Sequence, residues 1–347
     1  MKTTQELERI KQELGQKLLI MAHYYQKDEV VEQADLVGDS YKLAVQAART
    51  SAKYIVLCGV YFMAESARIL ARGDQHVYLP VFQAGCPMAD MIDVELFHTH
   101  FSHLKSLMGD SLVPIVYVNS TAEVKAAVGT NNGSACTSSN AARICDYFLK
   151  QGKKIFFLPD ANLGKNVAAS LGIRAAELFS YHANEPLPDT PDKTRFITWD
   201  GYCHVHTNFS LFDIMKAKAN YPYAKILVHP ECIPEVVTAA DFSGSTSQIM
   251  EQVKAAEAGD VLFVGTELHF VERLAHLRSD ITVFPLKKSL CGNMAKTNLQ
   301  NVYQTVREIE TEKSTHEIDI IPDIRNNAHR ALQNMINISE GKEAVHE

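Results

Sequence analysis

The sequence predicts an α/β protein: three similar three-layer α/β domains with short parallel sheets, set around a pseudo-threefold axis with the active site at the centre. Two observations predict it. Short apolar runs rich in β-branched and aromatic residues alternate with amphipathic, alanine-rich stretches, the pattern of βαβ units. The runs also fall into three sets of three, each carrying the same groups in the same order: a polar cluster, a small hydroxyl cluster, an acid and a cysteine. Any parallel sheet ends its strands in polar residues, because ligands bind there; the threefold recurrence of one order is what singles this chain out.

The first strands are expected over Lys17–His23, Leu112–Val118 and Lys225–His229. They run into His23-Tyr24-Tyr25, Tyr117-Val118-Asn119 and His229-Pro230-Glu231. About one helix later come Gly38-Asp39-Ser40, Thr137-Ser138-Ser139 and Gly244-Ser245-Thr246, each read as a helix start because Ser and Thr are good N-caps. The second strands, Tyr54–Val60, Lys154–Leu158 and Val261–Val264, lead to Glu65, Asp160 and Glu267. The third strands, His76–Val81, Arg195–Trp199 and Ile281–Phe284, are each followed by a cysteine: Cys86, Cys203 and Cys291. Ser40 and Cys86 are 46 residues apart, as are Ser245 and Cys291; Ser138 and Cys203 are 65 apart, and the Pro-rich stretch Glu185–Asp192 is the expected insertion. The three units are placed at 16–105, 106–190 (with the closing strand and Cys203 carrying it to about 208) and 209–297. Terminal helical segments at 1–15 and 298–347 pack on the body.

With 347 residues, two or three units are expected, and 46% hydrophobic residues allow real cores. A net charge of -7 argues against nucleic acid or an anionic membrane as partner. Met1–Gly15 lacks the apolar stretch of a signal peptide, and no apolar run approaches the roughly 20 residues that span a bilayer; a cytoplasmic protein is expected. Neither G-x-G-x-x-G nor a P-loop is present. Seven widely spaced cysteines, an odd number, do not make a disulfide framework.

If the three sets of strands point their carboxyl ends at one cavity, Cys86, Cys203 and Cys291 meet there. Thiolates hold [4Fe–4S] clusters, normally four at a time; three would leave one iron open, as a Lewis acid needs. The alternative is that these are small buried hydrophobes, the reading kept for Cys58 and Cys145; Cys136 and Cys232 have no counterparts in the other repeats. His23, His206 and His229 stand at strand ends and make a zinc site a rival, and Cys203 with His206 has a spacing that also suits zinc. The hydroxyl clusters are either anion sites at helix starts or simple caps. Glu65, Asp160 and Glu267 either do chemistry or bond backbone near the axis. A zinc hydrolase or lyase and a non-catalytic di-acid-binding protein are the competing functions.

Several motifs resemble those of the quinolinate synthases: Ala22-His23-Tyr24-Tyr25, Gly38-Asp39-Ser40, Phe62-Met63-Ala64-Glu65, Tyr117-Val118-Asn119-Ser120 and Cys136-Thr137-Ser138-Ser139-Asn140. The same is true of Gly201-Tyr202-Cys203-His204-Val205-His206, His229-Pro230-Glu231, Gly244-Ser245-Thr246-Ser247-Gln248 and Cys291-Gly292-Asn293-Met294, so the resemblance runs in order from Leu18 to Asn298. It implies one [4Fe–4S] cluster on Cys86, Cys203 and Cys291, and the condensation of iminoaspartate with dihydroxyacetone phosphate to quinolinate, phosphate and water in de novo NAD synthesis. It also points to L-aspartate oxidase as supplier of the imine. On this resemblance Tyr25, Glu231, His229 and His206 are the expected acid/base groups. His23, Ser40, Tyr117, Asn119, Ser138, Ser245 and Thr246 are the expected substrate-binding groups. The C-x-x-C-x-x-C that some family members carry at the last cysteine is absent here, and a redox switch built on it is not expected. Gly129–Ser134 is expected to be a loop.

Overall fold

The computed structural model describes residues 2–181, 193–313 and 315–345. The expected insertion Glu185–Asp192 lies outside them. After α1 (Lys2–Leu14), the first sheet forms from β1 (Leu18–His23), β2 (Leu36–Gly38), β3 (Tyr54–Cys58) and β4 (His76–Tyr78), with α2 (Asp28–Val31), α3 (Ser40–Arg49) and α4 (Tyr61–Leu70) between them. Helix α5 (Val94–Met108) leads to the second sheet, β5 (Leu112–Tyr117), β6 (Ser134–Cys136), β7 (Lys154–Leu158), β8 (Leu178–Tyr181) and β9 (Phe196–Trp199), connected by α6 (Ala122–Thr130), α7 (Ala141–Lys150) and α8 (Ala161–Ser170). Helix α9 (Leu211–Asn220) precedes the third, β10 (Lys225–Val228), β11 (Phe242–Ser243), β12 (Val261–Gly265) and β13 (Thr282–Pro285), with α10 (Pro234–Ala239), α11 (Thr246–Ala255) and α12 (Leu268–Leu277). Helices α13 (Leu299–Glu310) and α14 (Pro322–Ser339) follow.

Every pairing within these sheets is parallel, and the orders β2-β1-β3-β4, β6-β5-β7-β9-β8 and β11-β10-β12-β13 are one topology used three times. The three-sheet α/β expectation is met. The sequence reading missed the short edge strand before each hydroxyl cluster: with two or three residues, β2, β6 and β11 are too short to show a period. Strand β8, an added edge beyond β9, accounts for part of the extra length of the middle repeat. The segment Gly129–Ser134 is not a loop throughout, since Gly129 and Thr130 end α6 and Ser134 opens β6.

Strands buried on both faces need cover on both, which is why parallel sheets carry helices on each side. For the first sheet part of that cover comes from the chain ends. Leu7 and Ile10 of α1 and Val302, Val306 and Ile309 of α13 pack with Ile20, Val56 and Cys58 in one apolar cluster. Helix α14 packs into the body: Ala328, Ala331, Leu332 and Met335 are fully buried in the main core. It comes close to α6 at Gly129, where a Cβ would lie 2.1 Å from the Asn327 carbonyl oxygen. Alanine favours a helix over glycine by up to ~1 kcal/mol, but overpacking costs about 1–3 kcal/mol. Gly129→Ala is therefore expected to lower stability in denaturant unfolding; a variant at least as stable as the parent would show that α14 does not press on α6 here.

Candidate active site where the three sheets meet

The carboxyl ends of strands from all three sheets open into one cavity of about 70 Å³. Each sequence-expected site residue lines it except Ser245: His23, Tyr25, Ser40, Tyr117, Asn119, Ser138, His206, His229, Glu231, Thr246 and the three cysteines. Asp39, Thr137, His204 and Met294 line it as well.

Its centre is a hydrogen-bonded chain of buried groups. The Tyr117 hydroxyl donates to Glu231 Oε1 at 2.5 Å. The other carboxylate oxygen, Oε2, lies 3.0 Å from His206 Nδ1. His206 Nε2 lies 3.1 Å from the Thr266 hydroxyl, which is 2.8 Å from the Tyr25 hydroxyl. A carboxylate on Nδ1 sets that nitrogen as donor. Burial pushes the Glu231 carboxyl up, but His206 and His229 beside it and the bonds from His206 and Tyr117 outweigh this and hold it below the ordinary carboxylate range. Burial, with the Glu231 charge second, holds the Tyr25 and Tyr117 phenols well above theirs, so both keep their protons. Thr266 is the member that sequence reasoning missed; it stands beside Glu267, in the acid slot of the third repeat.

The repeat shows again in the histidines. His23 Nδ1 accepts the N–H of Tyr25 at 3.1 Å, and His229 Nδ1 accepts that of Glu231 at 3.4 Å, with Glu231 Oε1 3.5 Å from the same nitrogen. Burial lowers His23 to about 4 and, with His206 adding to it, His229 to about 3. Both rings are therefore neutral near pH 7. With Nδ1 taken by a backbone donor, each carries its proton on Nε2, as a neutral donor for an anion. The His229 ring stacks on that of His206, centroids 4.3 Å apart.

The hydroxyl clusters differ from the expected set of three caps. Asp39, not Ser40, caps α3, accepting from Lys42 N–H at 2.9 Å. Asn140 precedes α7 without a side-chain cap, and Ser138 stands two residues further upstream. Only Ser245 is a cap: it is fully buried and forms a capping box with Gln248 on α11, while its neighbour Thr246 reaches the cavity. Asn119 contributes a buried Oδ1 that has no partner among the described residues and is free to accept from a ligand.

Of the seven cysteines, Cys86, Cys203 and Cys291 are the ones that line the cavity, each partly exposed; Cys58, Cys136, Cys145 and Cys232 are buried away from it. Burial pushes the Cys86 thiol up to about 12, and raises Cys203 and Cys291 too, so they are thiols until a metal displaces their protons. Three soft donors converging on one cavity fit an iron–sulfur cluster with three protein ligands. One atom each of Cys203, His206 and Glu231 also lie within 4.8 Å of one another, a set that could hold a single metal ion. The expected His23–His206–His229 set does not form such a group among the described residues.

The equivalent acids fasten backbone. Glu267 caps α12, accepting from His269 and Phe270 N–H, and its Oε1 lies 3.4 Å from the N–H of Cys291. Asp160 caps α8 through Leu163 N–H at 2.7 Å and pairs by a parallel backbone bridge with Gly201, two residues before Cys203. Gly201 makes that approach possible, since a Cβ there would lie 2.4 Å from the Pro159 carbonyl oxygen. Burial raises the Glu65 carboxyl, offset in part by Lys125 and by the nearby Ala122 N–H.

A family model described as "Quinolinate synthetase A protein" matches residues 5–337. The chain is similar to "Quinolinate synthase" of Geobacillus kaustophilus (strain HTA426), 40% identical and covering 95% of this chain and 92% of that one. It is equally similar to "Quinolinate synthase" of Bacillus velezensis, 40% identical over 94% of this chain and 90% of the relative, and of Listeria monocytogenes serovar 1/2a, 40% over 95% and 92%. Among solved structures, an acyclic imino acid reductase bound to NADPH and D-Arg aligns with a TM-score of 0.19 at 8% identity over 86% of this chain and 100% of that chain, too poor a superposition to bear on fold or function.

The neutral His23 gives a signed pH dependence. The unfolded chain takes up a proton as pH falls through about 6.5, whereas the folded one resists until about 4. The unfolded state thus binds more protons in that window, and stability falls as pH drops from 6.5 towards 4. In thermal unfolding of the metal-free protein, His23→Gln is expected to flatten that slope; an unchanged slope would mean that His23 is already charged when folded.

Proposed function

This chain belongs to the quinolinate synthetase A family, and from that premise we propose that it condenses iminoaspartate with dihydroxyacetone phosphate to quinolinate, phosphate and water, as a transferase of de novo NAD synthesis. The observation that carries the proposal is the buried chain Tyr25–Thr266–His206–Glu231–Tyr117, all of whose members but Thr266 line one cavity with three thiols. Forming a carbon–carbon bond, isomerising a ketose-like intermediate and closing a ring all move protons, and each needs a positioned acid or base. Glu231, an acceptor at neutral pH, takes protons through His206. Tyr25, a protonated phenol at the other end of the same chain, exchanges a proton with the intermediate during isomerisation. Tyr117 and the unpartnered Asn119 Oδ1 orient that intermediate. The neutral Nε2–H donors of His23 and His229, with Ser40, Ser138 and Thr246, bind carboxylate and phosphate oxygens.

Cys86, Cys203 and Cys291 would hold the [4Fe–4S] cluster, which when bound supplies an open iron as Lewis acid for the dehydration. Iminoaspartate is unstable in water and calls for a supplier that oxidises aspartate; we assign that role to L-aspartate oxidase, with both proteins in the cytoplasm. A second reading rests on the Cys203, His206 and Glu231 group: a single zinc ion there, as in a hydrolase or lyase, gives a colourless protein with no quinolinate activity.

General acid/base groups contribute about 10²–10⁴-fold. Glu231→Gln and Tyr25→Phe are each expected to lower kcat for quinolinate by about that factor, with iron content unchanged; full activity would remove the residue from the chemistry. Cys86→Ser is expected to lose iron on anaerobic reconstitution. Retention of the parent's iron and sulfide would show that Cys86 is not a ligand.

A further inference from the structure

Helix α12 of the third sheet sends one side chain across to the first. Arg273, with 19% of its side chain exposed, donates from Nη1 to the Tyr24 carbonyl at 2.7 Å and from Nη2 to the Gln26 carbonyl at 2.5 Å. Its Nε donates to Asp28 Oδ1 at 2.7 Å. The two carbonyls flank Tyr25. They belong to the turn where the chain leaves β1 and the strand ladder, with Tyr24 N–H still bonded to the Gly38 carbonyl and Gln26 N–H turned back to the His23 carbonyl. A planar guanidinium donates along fixed directions, so it sets the angle of such a turn as well as its distance, which a lysine ammonium cannot do.

The other end of Tyr25 is held by the same piece of chain. Thr266, which bonds the Tyr25 hydroxyl, directly follows β12 and stands seven residues before Arg273, on the segment that becomes α12. Phe270, between them, packs against the Tyr24 and Tyr25 rings with centroids 5.3 and 6.4 Å away. The backbone and hydroxyl of Tyr25 are thus both referenced to one rigid strand–helix unit of another sheet. Gln26 extends the grip by donating its amide to the Met294 carbonyl, three residues beyond Cys291.

We propose that Arg273 is a positioning residue for Tyr25: a clamp between the first and third sheets that holds the Tyr24–Gln26 turn so that the Tyr25 hydroxyl meets Thr266 and the proton chain behind it. The proposal rests on Tyr25 acting in catalysis as described above. A displacement of about 1 Å at a reacting group costs on the order of 100-fold. Arg273→Gln is therefore expected to lower kcat about 10- to 100-fold, with KM for dihydroxyacetone phosphate within about 3-fold and iron content unchanged. Arg273→Lys, which can reach one carbonyl at a time, should recover part of the loss. Asp28→Asn, which removes only the outer, exposed partner, should stay within about 2-fold.

The deciding experiment is the double-mutant cycle with Tyr25→Phe, read together with hydrogen exchange of the metal-free protein. If Arg273 acts through Tyr25, adding Arg273→Gln to Tyr25→Phe costs nothing further in kcat, and exchange quickens at the Tyr24–Gln26 amides and not across the molecule. Losses that multiply, or exchange at those amides equal to the parent's, would overturn the clamp. Full activity of Tyr25→Phe alone would instead overturn the reading on which the clamp rests. Should Arg273→Gln fail to fold, the cycle is run with Arg273→Lys, whose partial loss must likewise vanish in the Tyr25→Phe background.

Discussion

The cavity is organised by one buried carboxylate. Glu231 is 3% exposed, and a charge so placed costs several kcal/mol unless its oxygens are filled. They are filled from outside its own sheet: Tyr117 leaves the end of β5 in the second sheet, and His206 lies in the segment that follows β9. Tyr25 from the first sheet joins the same chain through Thr266. Keeping Glu231 charged in the interior therefore requires these strand ends to stand where they do. Helix α14 packs against α6 by backbone contact at Gly129, and α1 with α13 cover the first sheet.

The same geometry explains how three units come to make one site. Strand ends in a parallel sheet point the same way, so three such sheets facing inward supply three equivalent slots of each kind. Evolution has filled equivalent slots unequally. The strand-end histidines His23 and His229 keep one device, with Nδ1 tied to the N–H two residues on; in the second repeat Tyr117 stands there instead. The acid slots diverge further: Glu267 bonds the N–H of Cys291, Asp160 pairs its backbone with Gly201 two residues before Cys203, and Glu65 lies near Ala122. The acids at Asp160 and Glu267 thus hold the loops on which thiols are presented, a supporting role of the kind that tunes metal sites from behind their ligands.

Much of this was legible in the residue order. The long strands β1, β3, β5, β7, β10 and β12 announce themselves as apolar runs, and the polar groups at their ends were found because they recur. What escaped was local or relational. Strands of two or three residues carry no periodicity, so β2, β6 and β11 were invisible. Ser245 and Ser138 read alike, but only Ser245 has a glutamine three residues on to complete a capping box, and its hydroxyl is spent on the helix. Thr266 gave no signal of its own, because a threonine beside an acid is ordinary until a tyrosine from another sheet meets it. Arg273 lies in a plain amphipathic helix and matters only through two carbonyls nearly 250 residues away. Protonation states were also out of reach: burial, which residue order does not show, makes His23 and His229 neutral donors.

The thiols are where structure and proposed chemistry touch most closely. Buried cysteines with raised proton affinity are poor nucleophiles and inert as they stand; three of them partly opened to one cavity make sense as a site that a metal deprotonates on binding. The most direct measurement is iron and acid-labile sulfide analysis, with an absorption spectrum, of protein purified and reconstituted without oxygen. The account predicts a brown protein with roughly four irons and four sulfides per chain. A colourless protein that takes up no metal, or about one zinc instead, would contradict it, and the zinc outcome would point to the Cys203, His206 and Glu231 group.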